Sequence, residues 1–568
     1  MAFFEKKIVG ILIVASIPVC DVFAAEFIIQ GLTKPLEKNL EYYLSPLSET
    51  PANNLSKGQL KKLVNDALNP YGYYHPKLNV SKNTGEKVTI DVDVGPVTLI
   101  ASSSILISGE AEQDQDFIHL IDAAQLREGQ PLSHSNYDSL KQDLLSLAQQ
   151  KGYLEGQFLQ SVIEVIPSQN QANVKVHFDS GVRYHFGEVS VVGSVIETDR
   201  IESLSPFEKG DGFNSIKLGE YQANLSQTNW FRSVVVKGNF DQKTEDNQVP
   251  VEVLTVPNSR NIVQVGGGYT ADQGVRGSLK WNQPWYNSRG HSLKAEASVS
   301  KPEQSLLMGY KIPTKNVLTD YYGVQFESKR VDYLDTESFT NELTFEKHWQ
   351  LDNDWQSTMH VRYLREDYQQ ASEGNQSQLL MPGVTFSQVE RKNDQLEVSH
   401  RHIYSLEYSE PYLLSDSRIL HLEGKSVLSW DISEKQKFHF RSNVGVNIAD
   451  SLEDIPSSLR FFAGGGESLR GYSYESISPR EDNGQLTGAR YMFTAGFEYQ
   501  YQVYQQVWLG AFYDIGDAFN DDIALKRGTG MSLIWDSKYV PMKLDLAYGL
   551  DAPERDEFRI HFSIGTQF

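Results

Sequence analysis

After Pro257 the chain loses helical periodicity, and for roughly 310 residues short runs alternate apolar and polar side chains between polar turns. Asn287-Ser288-Arg289-Gly290 and Asp352-Asn353-Asp354 are two such turns. A period of two places successive side chains on opposite faces of a strand. At about 19 residues per strand and connection, the segment holds on the order of sixteen antiparallel strands. Tyr491, Phe493, Ala495, Phe497, Tyr499 and Tyr501 share one face against Met492, Thr494, Gly496, Glu498 and Gln500. Met542, Leu544, Leu546, Tyr548 and Leu550 likewise oppose Lys543, Asp545, Ala547 and Gly549.

A soluble sandwich would alternate in the same way. Two features favour a transmembrane barrel: aromatic residues gather near strand ends, as in interfacial girdles, and the chain closes on a strand with an aromatic last residue. In that strand Phe558, Ile560, Phe562, Ile564, Thr566 and Phe568 share one face. The run Phe562 to Phe568 resembles the C-terminal signal of bacterial outer-membrane proteins. No stretch beyond the N-terminus approaches the ~18 consecutive apolar residues of a membrane helix. A mean hydropathy of -0.42 does not contradict a barrel, whose two faces average out.

The N-terminus reads as a secretory leader over residues 1–24. Lys6-Lys7 precede the apolar run Ile8 to Val19, and Val22-Phe23-Ala24 offers small residues at the cleavage positions. Cys20 is the only cysteine; Ile17-Pro18-Val19 lacks the small residue that precedes a lipidated cysteine, and cleavage after Ala24 would remove it, leaving neither a disulfide framework nor a thiolate metal site. A net charge of -22 argues against a nucleic-acid partner, since phosphate binding needs clustered Lys and Arg.

Between leader and barrel the chain repeats a small module. Helical patterns Leu63 to Leu68 and Leu144 to Ala148 each run into a turn with glycine, Gly72 and Gly152; a third copy, Leu225 to Asn229, is followed by Trp230-Phe231. Glycine suits a helix end that needs positive φ. Two alternating strands follow each turn, so each unit reads strand, helix, helix, strand, strand. The predicted organisation is α+β repeats at 25–96, 97–181 and 182–258, then an all-β barrel at 259–568.

The most unusual stretch interrupts the barrel. Phe461-Phe462-Ala463-Gly464-Gly465-Gly466-Glu467-Ser468-Leu469-Arg470-Gly471-Tyr472 lies in a long loop, 450–488, between two strands. A hydrolase elbow needs Gly-x-Ser-x-Gly before a helix; Gly466-Glu467-Ser468-Leu469-Arg470 fails at its fifth residue and no helix follows. His400 and His402 share a strand face without an evident third metal ligand. Gly266-Gly267-Gly268 lacks the Lys-Ser/Thr of a P-loop and reads as a weak point in a strand. No catalytic centre, metal or cofactor is expected. Arg470 brings an always-charged planar fork to the tip of the loop. If the loop folds into the lumen, Arg470 needs an acidic partner, and by parity Glu498 and Asp514 are both candidates.

The loop through Ser476-Ile477-Ser478-Pro479, the strand Gly488 to Tyr501 and Phe512-x-Asp514-x-Gly516 resemble the TamA family, outer-membrane subunits of the translocation and assembly module. That family sits in a superfamily with BamA-type insertases and two-partner-secretion transporters, and three POTRA-like units agree with it better than the five or two of those relatives. The resemblance implies an outer-membrane barrel with periplasmic POTRA domains. It further implies that the Arg470-Gly471-Tyr472 tip folds into the lumen against Glu498 and Asp514. The expected function is assembly, insertion or translocation of other outer-membrane proteins, autotransporter-type clients among them. Two alternatives are a two-partner-type secretion pore and phospholipid transport between membranes. Expected partners are unfolded clients, outer-membrane lipid and, through the first repeat, a TamB-like inner-membrane-anchored protein. The first and last strands would form a weak lateral seam carrying Val263, Val265, Gly266, Gly267, Gly268, Phe562, Gly565 and Phe568.

Overall fold

A computed structural model describes residues 26–565, apart from 49, 52–53, 83–86, 391–397, 538–539 and 555. The expected leader and Phe568 lie outside the described residues. The chain packs as two compact units. The first runs to Glu188 and includes Phe207–Lys217 and Gly238–Pro250; the second comprises Val189–Pro206, Leu218–Lys237 and Val251–Phe568.

In the first unit, strand Glu26–Gln30, helices Lys34–Leu44 and Lys57–Leu68, and strands Lys77–Lys82 and Lys87–Asp93 form one module. Its first strand runs parallel to the last, which pairs antiparallel with the one between. Leu40, Leu60, Val64 and Leu68 from the helices bury against Val88, Ile90 and Val92 from the central strand. The next module repeats the arrangement with Leu99–Ser108, Gln115–Ala123, His134–Lys151, Gln157–Ile166 and Gln171–Asp179. Ser133 caps its long helix by accepting from the Asn136 amide, and Phe117 packs on Tyr153 and Phe178 in its core. Gly72 and Gly152 end their helical segments with φ of 87°, as the repeat predicts; Asn229, at φ 58°, takes that place in the third copy. The third copy has strands His185–Val192, Phe231–Gly238 and Gln248–Pro257 in the same sheet order.

Sixteen antiparallel strands close the barrel, from Ile262–Thr270 to Phe558–Ile564. Alternation is the reason they do so: Phe493, Phe497, Tyr499 and Tyr501 are exposed on the outer wall, whereas Thr494 and Glu498 between them are buried within. No helix among the described residues is long and apolar enough to cross a membrane. Strands five to eight have 13 to 18 residues, but the first three have nine, ten and eight, and the last two eight and seven. Among the described residues the strands are therefore shortest where first and last strands meet. Within this unit the Trp230 indole donates to the Gly290 carbonyl at 3.2 Å, and Glu197 accepts from the Ser288 hydroxyl.

Candidate functional site: the lumenal loop and the barrel seam

The loop leaves strand eleven (Gln436–Ala449) and re-enters at strand twelve (Tyr491–Tyr504). It folds on itself through bridges between Phe461 and Ala489 and between Ala463 and Ile477. Phe461, Leu469, Tyr472 and Ile477 form a small apolar core with Ala518 of strand thirteen (Val507–Phe519). Its root is fixed to the far wall. The buried Glu366 carboxylate accepts from both hydroxyls of Ser457 and Ser458, at 2.7 and 2.6 Å. Arg460 donates to Glu373 at 2.8 Å and to the carbonyls of Ile455 and Thr487.

At the tip, Arg470 is 1% exposed. Its Nε and Nη2 reach the two oxygens of Asp514 at 2.7 and 2.9 Å, a bidentate pairing, and Nη1 donates to Glu498. The guanidinium also lies 3.5 Å above the Phe512 ring. The structure thus places Arg470 against both acidic residues expected from parity. It adds partners that sequence reading did not single out. Arg441 donates to Asp514 at 2.9 Å and to the carbonyl of Gly466, Lys543 donates to Glu498 at 3.2 Å, and Asp545 lies 3.9 Å from Arg470. Three cations face three carboxylates, so the buried cluster is neutral. Parity would have put all of these groups in the lumen; which pairs form depends on strand stagger.

Gly471 follows with φ of 93°, and a β-carbon there would stand 2.8 Å from the Gly549 amide nitrogen. Gly528 on strand fourteen (Lys526–Trp535) makes matching room, since its β-carbon would fall 1.9 Å from the Arg470 carbonyl. The Tyr472 hydroxyl donates to the Arg527 carbonyl and accepts from the Asp551 amide, both at 3.2 Å. Beside the loop a polar cavity of about 1020 Å³ remains, reached by His360, Arg362, Glu407 and His421.

At the seam only Tyr269–Ile564 and Thr270–Ser563 pair among the described residues, with one further bond from the Ala271 amide to the Phe562 carbonyl. By contrast, strand one pairs with strand two from Ile262 to Thr270. Val263 and Val265 are exposed, the latter at 82%. Gly266 and Gly267 belong to the same strand, and Gly268 faces the Ile564 carbonyl, which a β-carbon would meet at 2.8 Å. Gly565 takes φ of 106° against the Gly267 carbonyl, and Phe562 lies 6.2 Å from the Tyr269 ring. Asp272, in the turn after strand one, and His561 of strand sixteen meet at 3.2 Å; neither was foreseen. Burial pushes the Asp272 carboxyl up, but the hydrogen bonds from His561 and the Gly466 amide hold it below its ordinary value. His400 and His402 face each other at 5.1 Å, and no metal-binding cluster occurs among the described residues.

A closed sixteen-stranded barrel with an inward loop and preceding α+β modules defines a class of outer-membrane protein. Residues 261–568 match the Omp85 superfamily domain, and the chain belongs to that superfamily. Its barrel resides in the outer membrane with the N-terminal domains in the periplasm. More particularly, residues 26–96 match the POTRA domain described as TamA domain 1, so the first module is of TamA type. The outer membrane protein assembly factor BamA of Nitratidesulfovibrio vulgaris is 30% identical over 142 residues, covering 23% of this chain. The match spans 18% of that relative's own length. Among solved structures, BamA from Haemophilus ducreyi lacking POTRA domains 1-3 is similar with a TM-score of 0.69 at 14% identity, over 83% of this chain and 100% of that one. CdiB from Acinetobacter baumannii aligns over 95% of this chain and 100% of its own at 14% identity, with a TM-score of 0.46.

Proposed function

We propose that the protein assembles other outer-membrane proteins, autotransporter-type barrels among them, at the seam between its first and last strands. The observation that carries this reading is the seam ladder, in which only two residue pairs are formed among the described residues and the edge from Ile262 to Gly266 has no described partner on the strand-sixteen side. A client strand entering lipid must satisfy its backbone N–H and C=O groups, and an open strand edge offers them a template. The short strands around the seam add to this, because a short apolar span thins the nearby bilayer and lowers the barrier to insertion. Loop 450–488 acts as a latch: with Arg470 paired to Glu498 and Asp514 it holds the wall leading up to the last strand in one shape. The periplasmic modules receive unfolded clients, and the first, with Glu26–Gln30 and Lys77–Lys82 at its sheet edges, meets a TamB-like partner.

A secretion pore would require this loop to vacate the lumen, breaking the buried ion pairs at its tip and the Glu366 and Arg460 anchors at its root. Seam insertion requires at most release of the tip and leaves the Glu366 and Arg460 anchors in place, so it is preferred. The test is a cross-link between directly opposed positions, Tyr269→Cys with Ile564→Cys, whose spacing in an antiparallel pair lies within disulfide reach. Locking the seam should abolish client assembly, reversibly on reduction. Full assembly by the oxidised protein would overturn the reading, and altered phospholipid distribution with unchanged client levels would transfer the function to lipid transport.

A further inference from the structure

Asp272 and His561 do more than touch across the seam. Asp272 sits just past the end of the first strand, and His561 lies on the lumenal face of the last, 6% exposed. Nδ1 of His561 stands 3.2 Å from Oδ1 of Asp272. The remaining acceptor of each is filled by the loop. Oδ2 of Asp272 accepts from the Gly466 amide at 2.9 Å, and Nε2 of His561 accepts from the Gly471 amide at 3.3 Å. An amide N–H can only donate, so Nε2 must be the bare nitrogen and Nδ1 must carry the proton given to Asp272. This is a single, fully specified arrangement of four groups, two from the seam strands and two from the backbone flanking Arg470.

We propose that Asp272 and His561 form a clasp that closes the seam only while the tip of the Arg470 loop is seated, so that seam opening and release of the tip are one event. The physical reason is the exclusion of water. An isolated Asp–His contact at a lumenal rim competes with solvent and contributes little. With Gly466 and Gly471 covering both remaining acceptors, the pair is shielded and its attraction grows. Beside it only two backbone residue pairs join the described parts of the two strands, so this side-chain pair adds materially to what holds them together there. The Asp514–Glu498–Arg470 cluster therefore acts on the seam through the loop backbone. Asp272 and His561 are positioning residues for the seam, and this inference rests on the seam being the working part of the barrel.

The Ala271 amide reports seam closure directly, because it donates across to the Phe562 carbonyl at 2.8 Å. The experiment is hydrogen–deuterium exchange on the full-length protein in lipid nanodiscs without client. Asp272→Ala and His561→Ala should each accelerate exchange at Ala271 about tenfold, as expected for loss of a hydrogen bond to a charged group. The double variant should show no further acceleration, because each change already removes the same pair. Arg470→Ala should give a similar acceleration by unseating the loop. Amides of strands six and seven (Thr336–Gln350 and Gln356–Gln370) should keep their protection, which separates local opening from unfolding. Unchanged exchange at Ala271 in either single variant, or a double-variant effect equal to the product of the two, overturns the clasp. Unchanged exchange in Arg470→Ala overturns its dependence on the loop. Since no client is present, these results are independent of the assembly reading, which stands or falls on the cross-link.

Discussion

Replacing Arg470 by alanine removes the central cation of a buried neutral cluster. The variant leaves Asp514, Glu498 and Asp545 facing Arg441 and Lys543. Asp514 keeps its bond from Arg441 and Glu498 keeps Lys543, so neither carboxylate is wholly orphaned. Breaking a buried pair by deleting one partner costs about 3–5 kcal/mol, and since Arg441 and Lys543 still face all three carboxylates, Asp545 included, the loss belongs at the lower end, ~3 kcal/mol. The loop can answer by leaving the lumen, so the penalty appears first as loop release rather than barrel unfolding. At 1.4 kcal/mol per decade, ~3 kcal/mol raises the released population roughly a hundredfold. Limited proteolysis reads that population when opening is fast relative to cleavage. An enzyme cutting after aromatic residues, at Tyr472 or Tyr474, avoids the complication that Arg470 is itself a tryptic site. Arg470→Lys retains the charge but not the fork that spans both oxygens of Asp514, and should recover less than half of the protection. Cleavage of Arg470→Ala at the wild-type rate would refute the latch while leaving the barrel intact.

Geometry can be separated from charge by Gly528→Ala. Its new methyl would stand 1.9 Å from the Arg470 carbonyl, so the loop should become protease-sensitive although every charge remains. Gly290→Ala tests the contact of Trp230 with the barrel turn: φ there is 74° and the added carbon would lie 2.1 Å from the indole. Backbone strain alone should lower stability by about 1 kcal/mol, seen as a reduced urea midpoint.

Much of the architecture was legible because it rests on local rules. The period-two alternation specified strands and, with them, which side chains share a face, so Glu498 and Asp514 both followed from parity as candidates to meet Arg470. The repeated helix-to-glycine turns at Gly72 and Gly152 marked the modules, since positive φ is a property of a single residue. The charged tip of the long loop stood out because Arg470 cannot shed its charge and must find a partner wherever it is buried.

What the chain did not disclose is which groups meet. Arg441, Lys543 and Asp545 share the alternation of every other lumenal residue, and nothing in their neighbours marks them as members of the Arg470 cluster. Asp272 and His561 are 289 residues apart and are joined only because the barrel closes. Glu366 and Arg460 anchor the loop root from positions that parity places but cannot pair. By itself the sequence determined the elements, their faces and the one charge that had to be neutralised. The tertiary structure decided the partners, because strand stagger and barrel closure are collective quantities that no single segment encodes.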